Sequence, residues 1–193
     1  MTIHTSPISR LLPLTGAIAA AVLLSACGSM MSSSSKSMYS QDSLPDSIKV
    51  PAGNKVAMET VGVGEITYEC RAKKDMAGQF EWVFVGPDAK LMSRNGQQVG
   101  KYYGPPATWE SMDGSKLTAT QLAVAPAMAG SIPLQLVKAN PAMGMGAMQG
   151  VTYIQRVATQ GGVAPAMLCD AGQLGRKEIV KYQADYILWK AAS

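Results

Sequence analysis

Tyr102, Tyr103, Trp109, Glu110 and Asp113 lie within a dozen positions of one another, in or beside Gly-Pro and Asp-Gly turns. Aromatic side chains stack on a ring while carboxylates accept hydrogen bonds from its hydroxyls, which is the chemistry of a concave small-ligand site. Glu110 and Asp113 are also the residue types of a glycoside hydrolase, whose two carboxylates stand roughly 5–9 Å apart across a cleft. A plainer reading competes with both: Trp109 and one tyrosine are core, and Glu110 and Asp113 are turn and surface residues. Met143, Met145 and Met148 offer soft thioethers of the kind that bind Cu(I). They read equally as flexible filler in a chain that contains 13 methionines.

Other chemistry is scarcer. The single histidine, His4, sits at the extreme N-terminus, which excludes a histidine triad and a multi-histidine metal site. Gly144 to Gly150 nearly spells a dinucleotide fingerprint, but its third glycine falls one place late and the following Val151 to Val157 reads as a strand, not a phosphate-binding helix. Ser33 and Lys36 match a Ser-x-x-Lys nucleophile only inside a serine tract, without the rigid, water-poor setting that activates one. No cofactor is expected. The net charge of +4 and the short basic pairs Lys73-Lys74 and Arg176-Lys177 read as a solvated face, so no nucleic-acid partner is expected either.

The N-terminus accounts for much of the composition. After Arg10, residues 11–24 form an apolar run of 14 that would span about 21 Å as a helix, short of the roughly 30 Å hydrocarbon core. This is the shape of a signal-peptide core. Its last four residues, Leu24-Ser25-Ala26-Cys27, resemble a bacterial lipobox. The resemblance implies that residues 1–26 are removed and that Cys27 carries a diacylglyceryl group and an acyl chain such as palmitate. Two or three chains, at about 0.8 kcal/mol per buried CH₂, hold a protein stably on a bilayer. Gly28 instead of Asp after the cysteine resembles the sorting pattern of enteric lipoproteins destined for the outer membrane, and the resemblance implies a location there, facing the periplasm. The Ser-rich stretch up to residue 47 reads as a flexible tether, leaving residues 48–193 as a single domain.

With Cys27 assigned to lipid, Cys70 and Cys169 remain as an even pair in an oxidising compartment, and a structural disulfide is the simplest reading. From about Val50 the chain has the rhythm of an all-β domain, an antiparallel sandwich or barrel of about 8–10 short strands with turn chemistry between them. The expected turns include Gly62-Val63-Gly64, Gly86-Pro87-Asp88, Asn95-Gly96, Gly104-Pro105-Pro106, Asp113-Gly114 and Gly161-Gly162. Alternation puts Ile66, Tyr68 and Cys70 on one face and gives Phe80, Trp82 and Phe84 a common face next door. The last segment fits a helix or a strand. Its tyrosine and isoleucine content favours a strand with Val180, Tyr182, Ala184, Tyr186 and Leu188 inward.

Several segments in a fixed order, among them Val50-Pro51-Ala52-Gly53, Trp82-Val83-Phe84, Thr152-Tyr153-Ile154-Gln155-Arg156-Val157 and Gly161-Gly162-Val163-Ala164-Pro165, resemble one bacterial and fungal family, domain of unknown function 3455, over about residues 48–189. The resemblance implies a secreted or envelope-located protein, paired cysteines at Cys70 and Cys169, and no particular activity. Where many members have His-Tyr or His-Phe before the Gly-Pro, this chain has Lys101-Tyr102-Tyr103, and it has Ile132-Pro133-Leu134 where many have Ile-Pro-Trp. The expectation is therefore a lipid-anchored envelope module that binds a small ligand, a glycan or another protein. The alternatives are a hydrolase using Glu110 and Asp113, and a Met-based Cu(I) handler.

Overall fold

The computed structural model describes residues 39–192, whose strands form one closed antiparallel barrel. The expectations placed on residues 1–38, namely the signal peptide, acylation of Cys27, the Ser33/Lys36 pair and most of the tether, lie outside the described residues. The eight strands are β1 (Asn54–Ala72), β2 (Phe80–Ser93), β3 (Gln98–Tyr103), β4 (Thr108–Ser111), β5 (Lys116–Ala125), β6 (Leu134–Ala139), β7 (Val151–Gly161) and β8 (Lys177–Ala191). Each pairs with the next, and β8 returns to β1 to close the ring. The final segment is a strand, with Tyr182, Ala184, Tyr186 and Leu188 buried inside the barrel.

Two expected turns are strand instead, and this is why β1 and β2 are long. Gly62-Val63-Gly64 runs through the middle of β1, which extends for 19 residues. Gly62 is needed for space: a Cβ there would lie 2.5 Å from a ring carbon of Tyr186. Gly86-Pro87-Asp88 lies within β2, where Tyr68 faces Phe84 and Thr67 faces Gly86, so Val85 is an extra residue on that strand. Such a bulge bends the strand and accommodates a proline that cannot donate to the ladder. The Asn95-Gly96 and Asp113-Gly114 turns fall between strands as expected.

The barrel has two apolar regions. Inside, Ile66, Leu91, Leu117, Ile154, Leu188 and their neighbours fill the lumen around an aromatic stack of Tyr102, Trp109 and Tyr186. Outside, residues 39–50 form a strap across β5 to β8, held by tertiary contacts that the strap's own sequence pattern does not display. Tyr39 meets Trp189 edge to face at 6.2 Å, and Ile48 and Val50 bury against Leu136, Val157 and Ile187. Residues 39–47, assigned from sequence to the tether, are thus part of the packed structure. Gln41 fastens the strap by accepting from the Val50 amide (2.7 Å) and donating to the Val50 carbonyl (2.9 Å). Gln155, fully buried, donates to the Ile48 carbonyl at 2.7 Å and accepts from Trp189 Nε1 at 3.0 Å.

Elsewhere the outer face carries charges, with Glu65 of β1 between Lys181 of β8 and Asp88 of β2. This is the reverse of the apolar outer band of a membrane-spanning barrel. Among the described residues no helix is long and apolar enough to cross a membrane.

The two ends of the barrel are closed differently. At the base, the 140–150 loop carries Met148 into the lumen core, where it is 1% exposed. At the opposite end, the 162–176 loop folds over the β1 and β2 side. It is held by the Cys70–Cys169 disulfide, by Trp82 Nε1 donating to the Met167 carbonyl at 2.9 Å, and by Tyr68 Oη donating to the Gly162 carbonyl at 2.7 Å. A cavity lined by residues from β2 to β7 opens at that end and forms the mouth.

Candidate functional site

Neighbouring positions in a strand face opposite sides, so β3 and β4 divide four of the five sequence candidates between two surfaces. Tyr102 pairs with Trp109 and both are buried in the lumen, their ring centroids 4.6 Å apart. Lys101 pairs with Glu110 on the outside. There the Glu110 carboxylate accepts from Tyr103 Oη at 2.7 Å and forms an ion pair with Lys101 Nζ at 3.3 Å, in an outer groove of about 330 Å³. Asp113 belongs to neither surface. It lies in the β4–β5 turn and accepts from Ser115 Oγ (2.6 Å), the Ser115 amide (2.9 Å) and the Ala147 amide (2.7 Å).

Both carboxylates are held ionised. The hydrogen bond from Tyr103 lowers the Glu110 pKa, and the Ser115 hydroxyl followed by the Ala147 and Ser115 amides brings that of Asp113 down to about 2. A general acid needs the opposite shift. The methionines are separated as well: Met148 is core, whereas Met143 and Met145 are exposed, so the three thioethers share no common surface.

Tyr102 and Trp109 form the floor of a cavity of about 220 Å³ at the barrel mouth. The inward rows of three strands explain its character. From base to mouth, β5 presents Leu117, Ala119 and Gln121, β6 presents Ala139, Val137 and Gln135, and β7 presents Ile154 and Arg156. Each row changes from apolar to polar toward the mouth, so the lower lumen is packed and the upper lumen is lined for contact with something polar. Phe84, Pro87, Pro105 and Ala107 add an apolar rim, and Phe84 is 51% exposed although its strand partner Tyr68 is buried.

Polar groups converge on this cavity from one side. Gln135 Nε2 donates to Gln121 Oε1, and the Arg156 guanidinium gives Nε (3.1 Å) and one Nη (2.9 Å) to the Pro133 carbonyl. The Trp109 Nε1–H is buried with no acceptor among the described residues. Burial raises the pKa of Tyr102, Tyr182 and Tyr186 above the ordinary phenol value, so these hydroxyls stay protonated and supply no base.

A larger hollow of about 630 Å³ lies on the outer face over β1, β2 and β8, but it is shallow and bordered by charges of both signs, including Glu65, Asp88, Lys90 and Lys181. The mouth is smaller, yet it has the apolar walls and few convergent polar groups typical of a ligand site. The sequence candidates Tyr102 and Trp109 belong to it, and Tyr103, Glu110 and Asp113 do not. Gln121, Gln135 and Arg156 were missed. Their signal was the alternating row on each strand, read to its polar end.

A family model described as "Protein of unknown function (DUF3455)" matches residues 51–190. The chain belongs to this family. All the mouth residues fall inside the DUF3455 match, whereas the strap up to Val50 precedes it. Within the DUF3455 span, the Thr152 to Val157 segment has two separate tasks: Gln155 holds the strap outside, and Arg156 reaches the mouth inside. No curated protein and no solved structure matches the chain.

Proposed function

We propose that the protein is a non-enzymatic small-ligand-binding lipoprotein of the bacterial cell envelope, with its ligand in the barrel mouth. The observation that carries this reading is the uncovered upper lumen, about 220 Å³ above a Tyr102/Trp109 floor in a barrel otherwise filled by side chains. That volume is below the roughly 300–1,000 Å³ of sites for drug-sized molecules, so the ligand is small. Apolar walls favour a ligand with an apolar body over a glycan, whose hydroxyls would need more acceptors than the two glutamines supply.

Benzamide, a small neutral ring, is the probe for the mouth. In ¹H–¹⁵N spectra it is expected to shift the indole resonance of Trp109, assigned by its loss in Trp109→Phe, more than those of Trp82 and Trp189. An unmoved Trp109 resonance at saturating probe would rule out the mouth as the site.

The envelope location is supported by the Leu24 to Cys27 segment and by a disulfide of the kind that persists in oxidising compartments. Cys27→Ser is expected to leave the protein unprocessed or released from membranes. Incorporation of labelled palmitate by that variant at the wild-type level would count against acylation at Cys27.

A further inference from the structure

The charge of the mouth narrows the ligand class. Of the cavity's lining residues only Arg156 is ionisable at neutral pH, and no carboxylate is among them. Arg156 forms no ion pair with any described residue; its hydrogen bonds go to one backbone carbonyl through Nε and one Nη, which leaves the rest of its donor fork unused. Its strand partners are Gln135 on β6 and Tyr186 on β8, an uncharged amide and a phenol that burial keeps protonated, and neither can neutralise it. A guanidinium in a largely apolar cavity without a counter-charge is best matched by a ligand that brings one.

We propose that the barrel mouth binds a small organic acid, with its apolar body against Tyr102, Trp109 and Val137 and its carboxylate on Arg156. This rests on the mouth being the ligand site and adds the chemical class of the ligand. Pro133 then has a second significance. Its carbonyl fixes one edge of the guanidinium, so the remaining N–H groups are held in place before a ligand arrives and little side-chain freedom is lost on binding. A cationic ligand is excluded by the same charge.

The test compares benzoate, benzamide and benzylamine, which share a ring and differ in the charge of the head group, by titration of the Trp109 indole resonance. Benzoate is expected to bind about tenfold more tightly than benzamide, because its carboxylate adds a full counter-charge to the hydrogen bond that the amide oxygen also accepts. Benzylamine is expected to bind most weakly. Arg156→Gln should weaken benzoate at least tenfold and benzamide much less, so that the two affinities converge.

Because Arg156 also holds the Pro133 carbonyl, the variant's fold is checked by its thermal transition, and wild-type protein gives an independent readout. Added sodium chloride should weaken benzoate binding and leave benzamide binding level. Equal wild-type affinity for benzoate and benzamide, or tighter binding of benzylamine, overturns the organic-acid inference while the mouth remains a ligand site. Failure of all three probes to move the Trp109 resonance overturns the site itself.

Discussion

Asp113 has the chemistry of a catalytic carboxylate and the surroundings of a fastener. It accepts from Ala147 and Ser115, and Ser115 Oγ in turn accepts the Met148 amide at 3.1 Å, so this turn seats the methionine that closes the base of the lumen. Its pKa is held at about 2 against an ordinary 3.8. A depressed carboxylate pKa stabilises the fold fully above the ordinary value, and that contribution is lost as pH falls from 3.8 toward 2. Asp113→Asn is therefore expected to lower the urea midpoint at about pH 5, with the gap from wild type closing by about pH 2. A gap independent of pH would show that the charge is not what matters. The sequence displayed the right aromatic pair, Tyr102 and Trp109, but it also displayed Tyr103 and Glu110 beside them. A single step along a strand reverses the face, and which parity points inward is set by register across the barrel.

Strand content was largely legible because alternation is a local property: Ile66 and Tyr68 face the lumen, as does the even-numbered row of β8, and Cys70, two positions on, is fully buried at the disulfide. Gly62 and Gly86 misled because a glycine required for turning and a glycine required for close approach look alike in sequence. The strap was hidden for a different reason. Its apolar residues Tyr39, Leu44, Ile48 and Val50 have no strand or helix period, and they bury only because β5 to β8 offer an apolar outer patch. Gln155 is the polar link between the two. Gln155→Leu would leave the Ile48 carbonyl and Trp189 Nε1 without their partners, at a cost of about 3 kcal/mol. Hydrogen exchange should then rise at Val50 and its neighbours while β1 to β3 keep their protection. Unchanged exchange in the strap would mean that its apolar contacts alone hold it.

The barrel as a whole is closed by pairing of its first and last long strands, and the Cys70–Cys169 bridge joins residues 99 apart in the chain. A loop of that length corresponds to at most about 4.7 kcal/mol of denatured-state entropy. Replacing both cysteines with alanine should reduce the unfolding free energy toward that limit, measured in urea. The mouth should loosen as well, since the 162–176 loop would then depend on the Trp82 and Tyr68 hydrogen bonds. A loss below about 1 kcal/mol would show that the denatured chain is already constrained without the bridge.

The strap also determines how the molecule carries a mechanical load. Tension applied at the N-terminal end of the described chain reaches β1 only through side-chain contacts such as the Tyr39 amide on Glu59 Oε1 at 3.3 Å, not through the backbone until the strap is released. It first meets Tyr39 on Trp189, then the Gln41 clasp at Val50, and then Ile48 secured by Gln155. These contacts can peel away one after another, releasing slack before any ladder of the barrel is strained. The strap therefore acts as a shock absorber in series with the barrel, and a pull at that end would leave the mouth and its Arg156 undisturbed until the strap is spent.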